Sequence, residues 1–386
     1  MDNTKNKILN VPTLRFREFT DSWTLIPIKK LLRFQNGINA DSTKYGKGIK
    51  YISVSDILNN QYITYDCIKG LIDIDEKTFN KFIVEYGDML FQRSSETFED
   101  IGRANVYLDK EHSATFGGFV IRGKKISDYN PLFFRYLLCT HNARKQTIRM
   151  GAGAQHYNIG QEGLEKICLY FPCLQEQQKI SDLLSAIDNK ITVQNKIISK
   201  YETLIKGISY YIIKKFNGKE YKLGMLAEIY QPQTITKTDL PDNGKCLVYG
   251  ANGIIGYYDR FNHKESQIMI TCRGSTCGTV NLSTPYSWIT GNSMVINIDE
   301  NKSIVDKKYL YYYLKTQSFN DLISGSGQPQ IVRKPLVNLN VFLPEISQQI
   351  KLCEIIDTFE KTLKNEKEML SALQKQKAFL LQSMFI

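Results

Sequence analysis

Residues 175–215 read QEQQKISDLLSAIDNKITVQNKIISKYETLIKGISYYIIKK. Their apolar positions are Ile180, Leu184, Ile187 and Ile191, then Gln194, then Ile198, Tyr201, Ile205, Ile208 and Ile212. The spacing alternates four and three without a miss, which is a heptad seam and predicts one long helix that pairs with another. At 1.5 Å per residue the stretch is roughly 60 Å long. The partner lies after Pro344: residues 347–384 read SQQIKLCEIIDTFEKTLKNEKEMLSALQKQKAFLLQSM. At an offset of 172, Pro172 meets Pro344, Ile180 meets Leu352, Leu184 meets Ile356, Ile187 meets Phe359, Ile191 meets Leu363 and Gln194 meets Glu366. Seam and polar break both recur, which marks an internal repeat.

The globular parts repeat as well. LFQRSSETFEDIGRANV (90–106) is echoed by MITCRGSTCGTV (269–280), and LFFRYLLCTHNARKQTI (132–148) by KKYLYYYLKTQSFNDL (307–322). Gly151-Ala-Gly-Ala-Gln-His is echoed by Gly325-Ser-Gly-Gln-Pro-Gln, and IPIKKLLRF by YKLGMLAEIY. Short β-like runs at 51–54, 61–65, 87–91, 104–108 and 118–121 precede a helix after Pro131, giving a mixed α+β unit. The aromatic run 309–314 suits the packed face of a helix better than base stacking. The expected plan is residues 1–23 as a docking segment, 24–171 as a first globular unit, 172–216 as a long helix, 217–343 as a second unit and 344–386 as a second long helix. The reading takes residues 1–10 as a frayed end, 216–220 as a short linker and Asn217-Gly218 as the helix stop.

Connectivity makes the two helices antiparallel, forming a coiled coil about a pseudo-twofold axis. The seam residues near that axis are Ile187, Ile191, Gln194, Ile198 and Tyr201 on the first helix. On the second they are Phe359, Leu363, Glu366, Leu370 and Leu373. The expected layers are Ile198 with Leu363, Ile191 with Leu370, Tyr201 with Phe359, Ile187 with Leu373, and Gln194 with Glu366.

Composition points to a polyanionic partner. The 386 residues carry a net charge of +11, spread through sequence that is 42% hydrophobic and 11% aromatic and is therefore folded. No apolar run approaches a membrane span and the start lacks a secretory core, so a soluble, cytoplasmic protein without a membrane partner is expected. The eight cysteines form no Cys-x-x-Cys pair and read as reduced thiols; no metal site is legible. No nucleotide-cradling loop, Pro-Pro methyltransferase loop or nucleophile–base pairing is present. Asp73-Ile-Asp75-Glu-Lys77 has the look of a nuclease element but reads as a solvated turn. Catalytic residues are expected to be none.

Loops that mix Arg, Lys, Gln and Asn suit DNA: Arg and Lys reach phosphates or guanine, Asn and Gln match adenine. The candidates are Lys44, Lys47, Lys50, Gln92, Arg93, Arg103 and Asn105 in the first unit. Those in the second are Lys237, Asn243, Lys245, Arg273, Ser275 and Thr276. Arg93 and Arg273 are placed at the same point of the repeat. On that alignment Gly102 follows its arginine by four more residues than Gly278 does.

At VPTLRFREFTDSW (11–23), FPCLQEQQKISDLLSAIDNKI (171–191) and the duplicated plan, the chain resembles the specificity subunit of type I restriction–modification enzymes. The resemblance implies two target-recognition domains, each reading half of a split double-stranded DNA target. It implies helices that dock two methyltransferase (modification) subunits, joined by restriction/translocase subunits. S-adenosylmethionine, ATP and Mg would be bound by those partners, with no cofactor in this chain. It implies too that the N-terminal segment packs near the end of the second helix. The alternatives are a single-chain restriction enzyme or methyltransferase, and a coiled-coil scaffold without a DNA role.

Overall fold

The computed structural model describes residues 10–153, 156–215, 218–235, 240–241, 243–251, 253–325 and 327–386. The readings at residues 1–9, Gln155, Phe216, Asn217, Lys237 and Ser326, and the side chain of Ile212, lie outside the described residues. The chain divides into two units, residues 1–194 with 369–386 and residues 195–368. The two long helices run Leu174–Lys215 and Ile346–Ser383, so each unit holds a stretch of both.

The sheets of the two units are built in the same order. In the first, a four-stranded antiparallel sheet is ordered Leu32–Asn36, Val120–Lys125, Met89–Gln92, Ala104–Val106. In the second the order is Glu228–Tyr230, Ser293–Asn297, Ile268–Thr271, Val280–Leu282. A smaller sheet in each contains one parallel pair: Tyr45–Ile52 beside Thr115–Phe116, and Cys246–Gly250 beside Trp288–Ile289. In each unit the strand that enters pairs with the strand that leaves. Thr24–Pro27 lies against Cys168–Phe171, and Lys219–Lys222 against Asn340–Leu343. Residues 219 and 220 are therefore strand and not linker. Gly218 is needed there, because a Cβ would meet the Leu343 carbonyl oxygen at 2.3 Å.

Several expected elements differ. Residues 61–65 form no strand, touching Tyr107 only through a bridge at Ile63. The helix after Pro131 breaks at Thr140 into Pro131–Cys139 and His141–Arg149, since Thr140 takes extended backbone and accepts the Ala143 N–H. The aromatic run 309–314 sits in the helix Lys307–Thr316 with Tyr309, Tyr312 and Tyr313 buried.

Each long helix is anchored by a buried glutamine at the same point of the repeat. Gln177 Oε1 accepts the Asn130 N–H (2.9 Å) while its Nε2 donates to the Pro172 carbonyl (3.0 Å). Gln349 accepts the Asp306 N–H (2.8 Å) and donates to the carbonyls of Pro344 (2.8 Å) and Ile304 (3.0 Å). Asn130 and Asp306 are the N-caps of the equivalent helices, so the amide fixes the start of one helix against the start of the other. Gln349→Leu leaves those groups buried without partners and is expected to destabilise the second unit by about 1–3 kcal/mol, read as a lower denaturation midpoint. A tyrosine repeats the device: Tyr136 donates to Asp188 (2.8 Å), and Tyr312 to Asp357 (2.8 Å) and Glu360 (3.0 Å).

Within each unit the two helical stretches are antiparallel. In the first, Lys377 Nζ lies 2.5 Å from Asp188, and Leu380 shares the core with Ile187. In the second, Lys367 Nζ lies 2.7 Å from Glu202, and Ile205 and Leu363 line one cavity. These contacts correct the expected register. Pairing Tyr201 with Phe359 and Ile198 with Leu363 would set Glu202 and Lys367 about 12 Å apart along the helices, beyond the reach of the two side chains at ordinary helix spacing. In the second unit the observed facing is displaced by about one heptad. A heptad slip preserves the seam, so the apolar spacing cannot distinguish the two registers.

The N-terminal segment docks in the first unit, with Trp23 and Phe16 against its core. Leu14 is 39% exposed, although its N–H donates to the Ser383 carbonyl (2.9 Å). Anchoring comes from Trp23, packed edge-on against Phe133 and Phe385, and from Arg15. The Arg15 guanidinium donates two 2.7 Å bonds to the fully buried carboxylate of Glu176, whose charge would otherwise be unpaired.

Candidate nucleic-acid interface

A frame of backbone hydrogen bonds repeated in both units holds the candidate loops. In the first unit Gln92 N donates to Arg103 O, Gly102 N to Gln92 O, Arg93 N to Phe119 O and Ile159 N to Arg93 O. In the second, Thr271 N donates to Thr279 O, Gly278 N to Thr271 O, Cys272 N to Asn292 O and Ile331 N to Cys272 O. The four bonds correspond one for one. Gln92 is therefore equivalent to Thr271, Gly102 to Gly278, and Arg93 to Cys272, not to Arg273. The residue equivalent to Arg273 is Ser94: Ser94 pairs with Asn158 as Arg273 does with Gln330.

This one-residue offset corrects the alignment and changes the chemistry. Successive side chains of extended backbone point to opposite faces. Arg93 is half-buried and donates to the Gly118 carbonyl (3.3 Å), and Cys272 is fully buried. Arg273 and Ser275 are exposed on a tight turn whose Gly274 and Gly278 have φ of 88° and 91°. Gln92 to Gly102 spans three more positions than Thr271 to Gly278, so the first loop is longer by three residues, not four. The Gly-rich echo also shifts by two: Gly153 matches Gly325, at the offset of 172.

Other candidates are withdrawn from the surface. Asn105 is fully buried, its amide donating to the carbonyls of Ile57 (3.0 Å) and Asn60 (2.8 Å). Gln92 is buried in a strand and donates to the Ser94 carbonyl (2.9 Å). Lys50 donates to the Tyr65 carbonyl (2.9 Å) and lies over its ring. Lys44, Lys47 and Arg103 are exposed, Lys47 pairing with Asp73 (3.1 Å) and Arg103 with Asp100 (2.6 Å). Asp75 caps the helix Glu76–Lys81, and its bonds to Thr78 hold its carboxyl below the usual range.

In the second unit the turn bearing Arg273, Ser275 and Thr276 meets two other loops. Gly274 N donates to Pro329 O (3.1 Å), and Thr271 Oγ1 to Ala251 O (2.6 Å). Asn243 and Lys245 are exposed but precede Cys246–Gly250, the strand that leads to Ala251. Along the chain at strand rise they lie about 20 Å or more away, at the other end of the strand.

Comparison with known proteins agrees with the duplication. The family model described as "Type I restriction modification DNA specificity domain" matches twice, at residues 22–203 and 217–375. The chain belongs to this family. Its two specificity domains match the two structural repeats, each with its own long helix. A type I restriction enzyme specificity subunit of Methanocaldococcus jannaschii, MjaVIII, is 24% identical, with 87% of this chain and 89% of that one covered. The EcoprrI specificity subunit of Escherichia coli is 27% identical over 38% of this chain and 37% of its own. The solved S subunit from M. genitalium has the same fold, with a TM-score of 0.63 at 17% identity over 97% of this chain and 99% of that one.

The docking arginine Arg15 was illegible in the sequence because its partner is 161 residues away. So were Arg135 and Arg144, which lie nine residues apart on two successive helices and form no basic run. Among the described residues no group of three or more His, Cys, Asp or Glu could hold a metal ion, and no helix is long and apolar enough to cross a membrane.

Proposed function

We propose that the chain is the DNA-reading subunit of a type I restriction–modification complex, each specificity domain recognising one half of a bipartite double-stranded target. The observation that carries this reading is the repeated backbone frame, which presents unlike residues at like positions: Ser94 in one domain, Arg273 in the other. A fixed frame with variable loop chemistry is what two different half-sites require. The domains are residues 24–171 and 217–343. The helices 172–216 and 344–386 dock two methyltransferase subunits, to which restriction/translocase subunits join, and segment 1–23 packs near the end of the second helix. Catalysis then belongs to those partners, which bring S-adenosylmethionine, ATP and Mg, and the complex works in the cytoplasm where its DNA is. Sequencing methylated adenines in cells carrying this chain with its methyltransferase partner is expected to show one split motif, lost when the chain is deleted. Methylation that persists without the chain would end the reading.

Within that reading, Arg273→Ala is expected to weaken binding to the cognate duplex by about 1–3 kcal/mol and to relax one half-site only. Arg93→Ala is expected to leave specificity within about 0.5 kcal/mol, because Arg93 holds the position that the fully buried Cys272 holds in the second unit. Titration of both variants against duplexes altered in one half-site checks the contrast.

A further inference from the structure

Three arginines of the first unit, Arg103, Arg135 and Arg144, line one pocket of about 260 Å³, beside Asn60 and Cys139. One carboxylate answers them, since Asp100 pairs with Arg103. Among the described residues neither Arg135 nor Arg144 forms an ion pair. Arg144, half-buried, donates to the carbonyls of Glu99 (2.8 Å) and Ile101 (2.7 Å), and Arg135 Nε to Asn105 (3.3 Å). Burial and then the charge of Arg103 push the Arg144 pKa down. Packing like charges without counter-charge is unfavourable unless an anion joins them. The fold does not need them either. By the shared frame the second repeat has Thr279 where the first has Arg103. By the helix that carries Tyr136 and Tyr312, it has Tyr311 where the first has Arg135.

We propose that this pocket binds a phosphate group, held by the guanidinium forks of Arg103, Arg135 and Arg144. Planar guanidinium matches phosphate oxygens in paired bonds, and a half-buried setting strengthens them. The phosphate comes either from the backbone of bound DNA, which rests on the DNA-reading function above, or from a free nucleotide.

Cys139 is exposed and lines the pocket, whereas Cys173 is exposed and does not. In the purified full chain, the rate of iodoacetamide alkylation at each thiol, read by peptide mass spectrometry, therefore reports occupancy. Inorganic phosphate is expected to slow Cys139 at least fivefold relative to chloride at equal ionic strength, leaving Cys173 unchanged. Arg135→Gln should abolish this protection and Arg135→Lys retain part of it. If DNA is the source, a non-target duplex also protects Cys139. Arg135→Gln then weakens target and non-target binding equally and lowers the salt slope by about one. If a nucleotide is the source, ATP protects and the salt slope does not move. A chain that fails as a DNA reader in the methylation assay but keeps phosphate protection would retain the pocket without the function. Absence of protection by phosphate, ATP and duplex alike, or protection surviving in both Arg103→Gln and Arg135→Gln, overturns the proposal.

Discussion

Phe133→Ala is expected to lower the stability of the first unit by about 3–5 kcal/mol, the usual cost of emptying a large aromatic site in a packed core. The side chain is fully buried at the junction of four segments. Its ring meets Trp23 of the N-terminal segment at 6.0 Å, Phe171 of the exit strand at 6.0 Å and Phe385 at the end of the second long helix at 5.4 Å. Those partners are brought in from three distant parts of the chain, so the cavity cannot close by a local shift. The loss should appear as a lower calorimetric midpoint together with earlier proteolysis at both termini. A change below 1 kcal/mol, with the termini still protected, would show that the aromatic cluster does not hold them.

Exchange of residues 218–343 for the equivalent domain of a relative is expected to replace one half of the methylated motif and leave the other half unchanged. Affinity for the original target should fall by roughly 10³–10⁷, to the level of non-specific binding. The boundaries follow from the pairing of Lys219–Lys222 with Asn340–Leu343, which brings the two ends of the domain together in one ladder. Taking both strands moves that ladder intact, and Gly218 must travel with it because of its approach to Leu343. The core of this unit also uses Leu352, Cys353 and Ile356 from the second long helix, so the donor must keep apolar residues facing them. Simultaneous change in both halves of the motif would show that the domains do not read independently.

The amino-acid sequence by itself determined the two long helices, the duplication and the order of parts, because each is written in short-range periodicity or in matched segments. An apolar residue every three or four positions marks a helix face wherever it ends up packing. The glutamines 177 and 349 share the offset of 172, so even that anchor was present as a repeat, though its bonds were not. Tertiary structure alone decided the register, both between helices and between loops. A slip of one heptad keeps every seam residue inward, and only ion pairs such as Glu202 with Lys367 discriminate. A slip of one residue in a strand turns each side chain to the other face. That is why equating Arg93 with Arg273 pairs a half-buried group with an exposed one. Burial of Gln92 and Asn105 was decided in the same way, by partners 2 to 48 residues distant that no local pattern records. The convergence of Arg103, Arg135 and Arg144 needed a loop and two helices to meet, and charge that gathers only on folding leaves no run in the sequence.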